Sequence, residues 1–351
     1  MRLSGPITTA AALACAVSAL PKPHKGNKTC PPFNGNFSIK AYQVYPENAD
    51  FDFNNCKLYV GQIWNASLGI YDPYTSVHTT IEFLNISHNP SFHLGAVGAD
   101  RRTGHLFLIA DAAMAFPSEG KDISGTNWLM QYDPVSNYLL YKINLTETSQ
   151  GKYGGFQDVE HDPEGNVFVV GTWPGTLLRV DGEGGEVREW YLPEKIVPTE
   201  KGIGGIAALG WILLAQGDAS GKIWRFNMND KKGVPYPIPI TRGNHTFGAS
   251  DAIYLLPKYK GTVLLVAEDT IGISVFRSKD AKWDSAEFLG LVPRPSTLEP
   301  GTNVVAPVQV GDAVYMVVEQ FGDEGLGGPG TAGNRAEFPF LDITAEVEKM
   351  L

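Results

Sequence analysis

The chain has 351 residues, with 28 Lys or Arg against 38 Asp or Glu and a formal net charge of −10. No basic stripe is present to neutralise phosphates, which argues against nucleic acid as a partner, and the acidic balance argues against docking on an anionic membrane. The hydrophobic fraction of 43% is enough for a core, and 39 Gly with 24 Pro, lacking a three-residue period, describe a turn-rich all-β chain rather than collagen.

Residues 1–19 read as a secretory signal peptide. Arg2 supplies the charged start, Ile7 to Val17 the short apolar stretch, and Ser18 and Ala19 the small residues of a cleavage site. The stretch is too short to cross a bilayer, and no later run of about 18 apolar residues follows, so no membrane span is expected. Residues 20–36 form an N-terminal lead, and 37–351 a single domain. Sequons at Asn27, Asn36, Asn65, Asn85, Asn144 and Asn244 are candidate glycosylation sites. Cys15 leaves with the signal, so Cys30 and Cys56 remain as one candidate disulfide; two buried free thiols are the alternative. These features predict a protein that is secreted or held in the secretory-pathway lumen.

The chain then repeats. Short apolar runs follow turns: KLYVGQI from Lys57, HLFLIAD from His105, NVFVVGT from Asn166, WILLAQGD from Trp211, TVLLVAED from Thr262 and AVYMVVEQ from Ala313. Three or four consecutive apolar residues predict strands buried on both faces. Their second residues, Leu58, Leu106, Val167, Ile212, Val263 and Val314, are spaced by 48, 61, 45, 51 and 51. A strand unit recurring about every 50 residues predicts propeller blades. Each run has an inner strand before it (ENADFD, LGAVGAD, FQDVEHD, GGIAALG, SDAIYLL, VVAPVQV). A third strand follows, and in most blades an outer one such as HTTIEF or VREWYL. The sum is an all-β, six-bladed β-propeller with four strands per blade. The sixth blade runs out of sequence after EFPFLDI, while Phe37 to Tyr45 is an orphan strand before blade one. Pairing the orphan onto blade six closes the ring and removes an open edge. A short helix is expected over 343–351.

The segments YQVYPENADFDFNNCKLYVGQIWNASLGIYD, GGFQDVEHDPEGNVFVVGTWPGTLLRVDG and FGASDAIYLLPKYKGTVLLVAEDTIGISVFRS, with the final EFPFLDI, carry a resemblance over essentially the whole mature chain. The sequence resembles the secreted fungal six-bladed propellers, the family of the Malassezia propeller allergen and the trichothecene-cluster accessory protein. The resemblance implies a secretory protein that binds a hydrophobic small molecule or lipid, or serves a terpenoid or polyketide gene cluster. Some secretory propellers of such clusters are cofactor-free cyclases, including hetero-Diels–Alderases.

In a propeller, inner-strand starts and second-strand ends meet on one face. Here the starts carry Glu47, Asn48, His93, Gln157, Asp158, Gly204, Ser250, Asp251 and Asn303. The ends carry Gln62, Trp64, Asp111, Thr172, Trp173, Gln216, Asp218, Glu268, Asp269, Glu319 and Gln320. Polar groups at the ends of apolar strands predict a lined pocket. From this ring, Asp158, Asp251 and Glu268 are selected as candidate catalytic groups, since carboxylates beside aromatics gain raised pKa values. Trp64, Phe116, Trp128, Trp173, Gln157 and Gln320 are the candidate ligand-binding residues. Two long loops on this face, Ala112 to Asn127 and the Gly-rich Phe321 to Ala336, read as lids or binding loops.

No HExxH, CxxC, GxSxG or EF-hand pattern occurs. No cofactor and no resident metal are expected. The expected function is a cofactor-free cyclase or pericyclase, hetero-Diels–Alderase-like, acting as a monomer on a hydrophobic terpenoid or polyketide intermediate. One alternative is a non-catalytic secreted carrier of lipid or another hydrophobic ligand. The other is a calcium-dependent lactonase-like hydrolase, for which Glu47 and Asp158 occupy suitable positions but Gly204 stands where that pattern needs Asn.

Overall fold

The computed structural model describes residues 30–182, 184–217, 221–326 and 332–351. The predicted signal peptide, Asn27, Asp218 and residues 327–331 of the Gly-rich loop lie outside the described residues. The sequence folds into six antiparallel sheets whose inner strands follow one another around a closed ring. The inner strands are Pro46–Asp52, Phe92–Ala99, Gly154–His161, Ile203–Leu209, Ser250–Leu255 and Thr302–Val310. Behind them stand the apolar runs read from the sequence: Lys57–Gln62, Leu106–Ala112, Val167–Trp173, Ile212–Gly217, Val263–Glu268 and Ala313–Gln320. Their aliphatic residues are buried against neighbouring blades on both sides, which is why they lack polar alternation. The architecture is the six-bladed propeller that the repeat predicts.

The outer layer is less regular. Blade four ends in a two-residue strand, Tyr236–Pro237, and blade five gains a fifth strand, Ile240–Arg242, parallel to its outer strand Ala286–Pro293. Blade six is completed from the N-terminal side. Only Phe37–Ile39 of the orphan segment pairs, with Phe37 opposite Phe340 and Ile39 opposite Phe338. Tyr42 to Tyr45 instead turns across the sheet, with Gln43 and Tyr45 at positive φ. The Cys30–Cys56 disulfide is formed, with Cα atoms 5.5 Å apart, and ties the N-terminal lead to the first hairpin of blade one. Thr344–Met350 is the short C-terminal helix.

Two repeated details of the inner strands matter for the site. Each of the six has a register shift near its start, at Pro46/Ala49, Leu94/Ala96, Phe156/Asp158, Ile203/Ile206, Ser250/Ile253 and Val304/Ala306. A bulge leaves a residue unpaired and re-aims its side chain. Below the bulges, carboxylates clasp the backbone of the next blade. Asp50 accepts from Ala99 N at 2.9 Å, Asp158 from Ile206 N at 2.8 Å, and Glu160 from Ala208 N at 3.1 Å.

Candidate functional site

The bulged ends of the inner strands surround a cavity of about 350 Å³, on the face where the sequence places the polar ring. Glu47, Gly95, Gln157 and Asp251 are bulge residues, and all four line it. Strand and loop ends add Trp64, Asp111 and Asp269, while Lys201 enters from the loop before blade four. Ile63, Trp64, Phe116, Pro117 and Phe321 form the apolar wall. Phe116 and Pro117 come from the long Ala112 to Asn127 loop, which folds over the site as its position in the sequence predicts. The Phe116 ring sits 6.4 Å from Trp173, which lies buried behind it. Gly155, at φ +66°, makes room: a Cβ there would collide with the Trp173 indole. Trp64 is held edge-on by His93 at 4.9 Å and Phe321 at 6.2 Å.

Two carboxyl oxygens of the polar lining lack partners. Glu47 Oε2 and Asp111 Oδ2 make no hydrogen bond, although the residues are only 8% and 1% exposed. Behind them both oxygens of buried Glu319 are in the same condition, with the Trp64 indole N–H beside it but outside hydrogen-bond geometry. Burial drives all three carboxyls toward the neutral form. Asp111 is pushed up to about 8; Glu47 is raised well above its ordinary range by burial and then by Asp251, Glu319, Asp111 and Asp158. Glu319 rises for the same first reason. Burial acts oppositely on His93, whose pKa falls to about 4, so its imidazole is neutral near pH 7. Lys201 Nζ donates to Ser250 O at 3.3 Å. The cavity thus combines neutral acids, a neutral base and aromatic walls.

Of the residues selected from sequence, Trp64, Phe116, Gln157 and Asp251 line this cavity and Trp173 supports it. Gln157 also donates to Gly204 O of the next blade. Asp158 turns into the axial channel below and spends both oxygens on backbone N–H groups of Val159 and Ile206. Glu268 is fully buried, pairs with His245 Nε2 at 2.7 Å and accepts from Gly248 N and Ser274 Oγ. Ser274 and Glu268 both meet the same imidazole nitrogen, so the trio cannot work as a Ser–His–acid relay, which uses the two ring nitrogens separately. Trp128 lies on blade two with Lys142 Nζ 4.2 Å over its ring, and Gln320 is buried at the end of its strand. Neither lines the cavity. Glu47, His93 and Asp111 do; their signal in the sequence was their place on the two rings. Lys201 had no sequence signal, because it comes from an irregular loop. Among the described residues, no three His, Cys, Asp or Glu side chains converge as metal ligands.

Fold and site define a six-bladed propeller with an acidic, aromatic-walled cavity at its axis. No family model matches the chain. It is 34% identical over 344 residues to trichothecene biosynthesis protein 14 of Trichoderma arundinaceum, covering 93% of each chain. It is 31% identical over 341 residues to core trichothecene cluster protein 14 of Fusarium sporotrichioides, covering 92% of this chain and 88% of that one. The chain belongs to the family of trichothecene cluster protein 14. Among solved structures, the major allergen Mala s 1 of Malassezia sympodialis superposes with a TM-score of 0.76 at 18% identity, over 89% of this chain and 96% of that one. A gluconolactonase of Xanthomonas campestris superposes at 0.55 with 10% identity, over 88% and 89% of the two chains. Both likenesses concern the fold.

Proposed function

We propose that the protein serves secondary-metabolite biosynthesis as a cofactor-free cyclase, folding a hydrophobic, oxygen-bearing intermediate inside the axial cavity. Its family membership supports the pathway, since one relative is named a trichothecene biosynthesis protein and the other a core trichothecene cluster protein. The observation that carries the chemistry is the pairing of unpartnered, proton-bearing Glu47 and Asp111 with the wall of Trp64, Phe116 and Phe321. The wall holds the substrate in a reactive conformation, an entropic effect that reaches several kcal/mol. A neutral carboxylic acid donates a hydrogen bond to a carbonyl or hydroxyl oxygen and polarises it as the ring closes. Neutral His93, against Trp64, offers the matching acceptor. We place this work in the secretory pathway, with the Cys30–Cys56 bridge and the exposed sequons at Asn36, Asn85 and Asn244 as support.

Incubating the purified protein with intermediates of trichothecene biosynthesis, the pathway for which a relative is named, tests the reading. The expected result is a cyclised product of unchanged elemental composition, or one short of a single water. The variant Asp111→Asn keeps shape but cannot give up a proton, and should lower the rate about 10²-fold. Tight binding of the intermediates with no turnover would overturn the cyclase reading in favour of a hydrophobic-ligand carrier.

A further inference from the structure

We infer that the axial cavity recognises a positive charge carried on a hydrophobic frame, either an organic ammonium ligand or the cationic state of a substrate during ring closure. The second form rests on the cyclase reading; the ligand preference stands without it. Three features of the cavity carry the inference together.

The first is the state of its carboxyls. Glu47 Oε2 and Asp111 Oδ2 are buried, face the cavity and have no protein partner. A buried acceptor left unmade is costly, and an ion pair with an incoming cation would offset that cost. The second is the sign of the whole lining. Asp251 and Asp269 complete the acidic rim and Glu319 stands behind it, while Lys201 is the cationic lining residue and already donates to Ser250 O. Each of these carboxyls that ionises would repel an anionic ligand and attract a cationic one. The third is the wall. Trp64, Phe116 and Phe321 bring aromatic rings to the lining, and an aromatic face attracts a cation as well as apolar atoms. Aromatic rings beside carboxylates suit a soft, weakly hydrated organic cation. A small metal ion would need convergent oxygen ligands, and among the described residues no three His, Cys, Asp or Glu side chains converge in that way.

A pH dependence follows. Glu47 faces Asp251, Glu319, Asp111 and Asp158, and neutral His93 and Lys201 share the cavity. Below about pH 8 the Asp111 carboxyl holds its proton. A cation favours the ionised form, so binding expels protons and tightens as the pH rises.

The test is calorimetry on the full mature protein with benzyltrimethylammonium, whose charge does not titrate, against neutral benzyl alcohol. Both are titrated in 150 mM salt, so that the net negative surface charge is screened. The ammonium should bind with one-to-one stoichiometry at least tenfold more tightly than the alcohol. Its affinity should rise about tenfold from pH 6 to pH 9, with proton release read from the dependence on buffer ionisation heat. Glu47→Gln and Asp111→Asn should each weaken it at least fivefold with unchanged circular dichroism, and Trp64→Ala, which leaves the acids in place, should do the same. Equal affinity for ammonium and alcohol, or an affinity flat in pH, overturns the inference. So does displacement of the ammonium by micromolar Ca²⁺, which would make the cavity a metal site. If the ammonium fails to bind while pathway intermediates are still cyclised, this inference falls and the cyclase reading stands. Binding without any cyclisation leads to the reverse conclusion.

Discussion

Asp158 and Asp111 show how neighbouring carboxyls of one propeller acquire different work. Asp158 gives both oxygens to backbone N–H groups, at 2.9 Å to its neighbour Val159 and 2.8 Å across the blade boundary to Ile206. Asp111 leaves one oxygen free in the cavity. Their amides should therefore behave oppositely. Asp158→Asn turns an NH₂ toward a backbone donor and should cost roughly 1–3 kcal/mol of stability, the usual penalty for a spoiled buried hydrogen bond. Thermal unfolding would register this as a fall of a few degrees, with benzyltrimethylammonium affinity in the folded protein unchanged. A variant with wild-type melting and tenfold weaker binding would instead put Asp158 in the ligand site. The same pair explains what the sequence could and could not disclose. Strand ends and the face that carries the cavity were legible, because apolar runs bounded by polar residues mark them. Which of two adjacent polar residues faces the cavity was not. A bulge shifts the alternation by one residue, and a one-residue slip sends a side chain to the other face. Gln157 thus lines the cavity while Asp158 clasps the next blade, and Asp269 lines it while Glu268 turns inward.

At the scale of the element, the ring depends on its shortest strand. Phe37–Ile39 adds only three pairs to blade six. Phe37 compensates by stacking on Phe340 at 4.8 Å and on Tyr71 of blade one at 5.4 Å, with Tyr315 edge-on at 5.0 Å. One side chain therefore bridges the first and last blades. The disulfide fastens the same junction across a sequence separation of 26. In the chain-entropy model a loop of that size contributes about 3 kcal/mol. A half-buried phenylalanine truncated to alanine should cost roughly 2–4 kcal/mol. Phe37→Ala and Cys30→Ser should each lower the melting temperature by several degrees. Because they act on one junction, the double variant should depart from additivity. Strictly additive losses, or no loss from either change, would show that the ring closes without this seam. The closing strand was legible as an orphan next to an incomplete blade, but its length was not: Gln43 and Tyr45 at positive φ end the pairing early, and nothing in an apolar pattern announces that. The central strands were read correctly because burial on both faces leaves no room for polar residues.

For the whole molecule, the buried carboxyls dictate how stability varies with pH. Burial raises Asp158 to about 7 and Asp111 and Glu160 to about 8, and it also raises Glu47, Asp50 and Glu319. The unfolded chain releases these protons near pH 4, whereas the fold holds all of them to higher pH, those of Asp158, Asp111 and Glu160 to about 7 or 8. In that window the native state binds more protons than the unfolded one, so stability is complete below about pH 4 for these groups and erodes as pH rises through their folded values. Other groups pull the opposite way at lower pH. Burial drops His93 to about 4 and lowers His78 and His161, so acidification below about 6.5 protonates these residues in the unfolded chain first and destabilises the fold. Asp323, held low by Arg335, adds to the loss under acid conditions. Between about pH 6.5 and 8 the histidine contribution has ended, and the raised carboxyls act without it. Each proton the fold retains there is worth about 1.4 kcal/mol per pH unit. The melting temperature should therefore peak near pH 4–5 and decline steadily to about pH 8. Differential scanning calorimetry across that range gives the slope directly. Replacing Asp111 by Asn, or Glu160 by Gln, removes one retained proton and should flatten it. A melting temperature that is level or rising from pH 5 to 8 would mean that these carboxyls are ionised in the folded protein, and with that the neutral acids of the cavity would be lost as well.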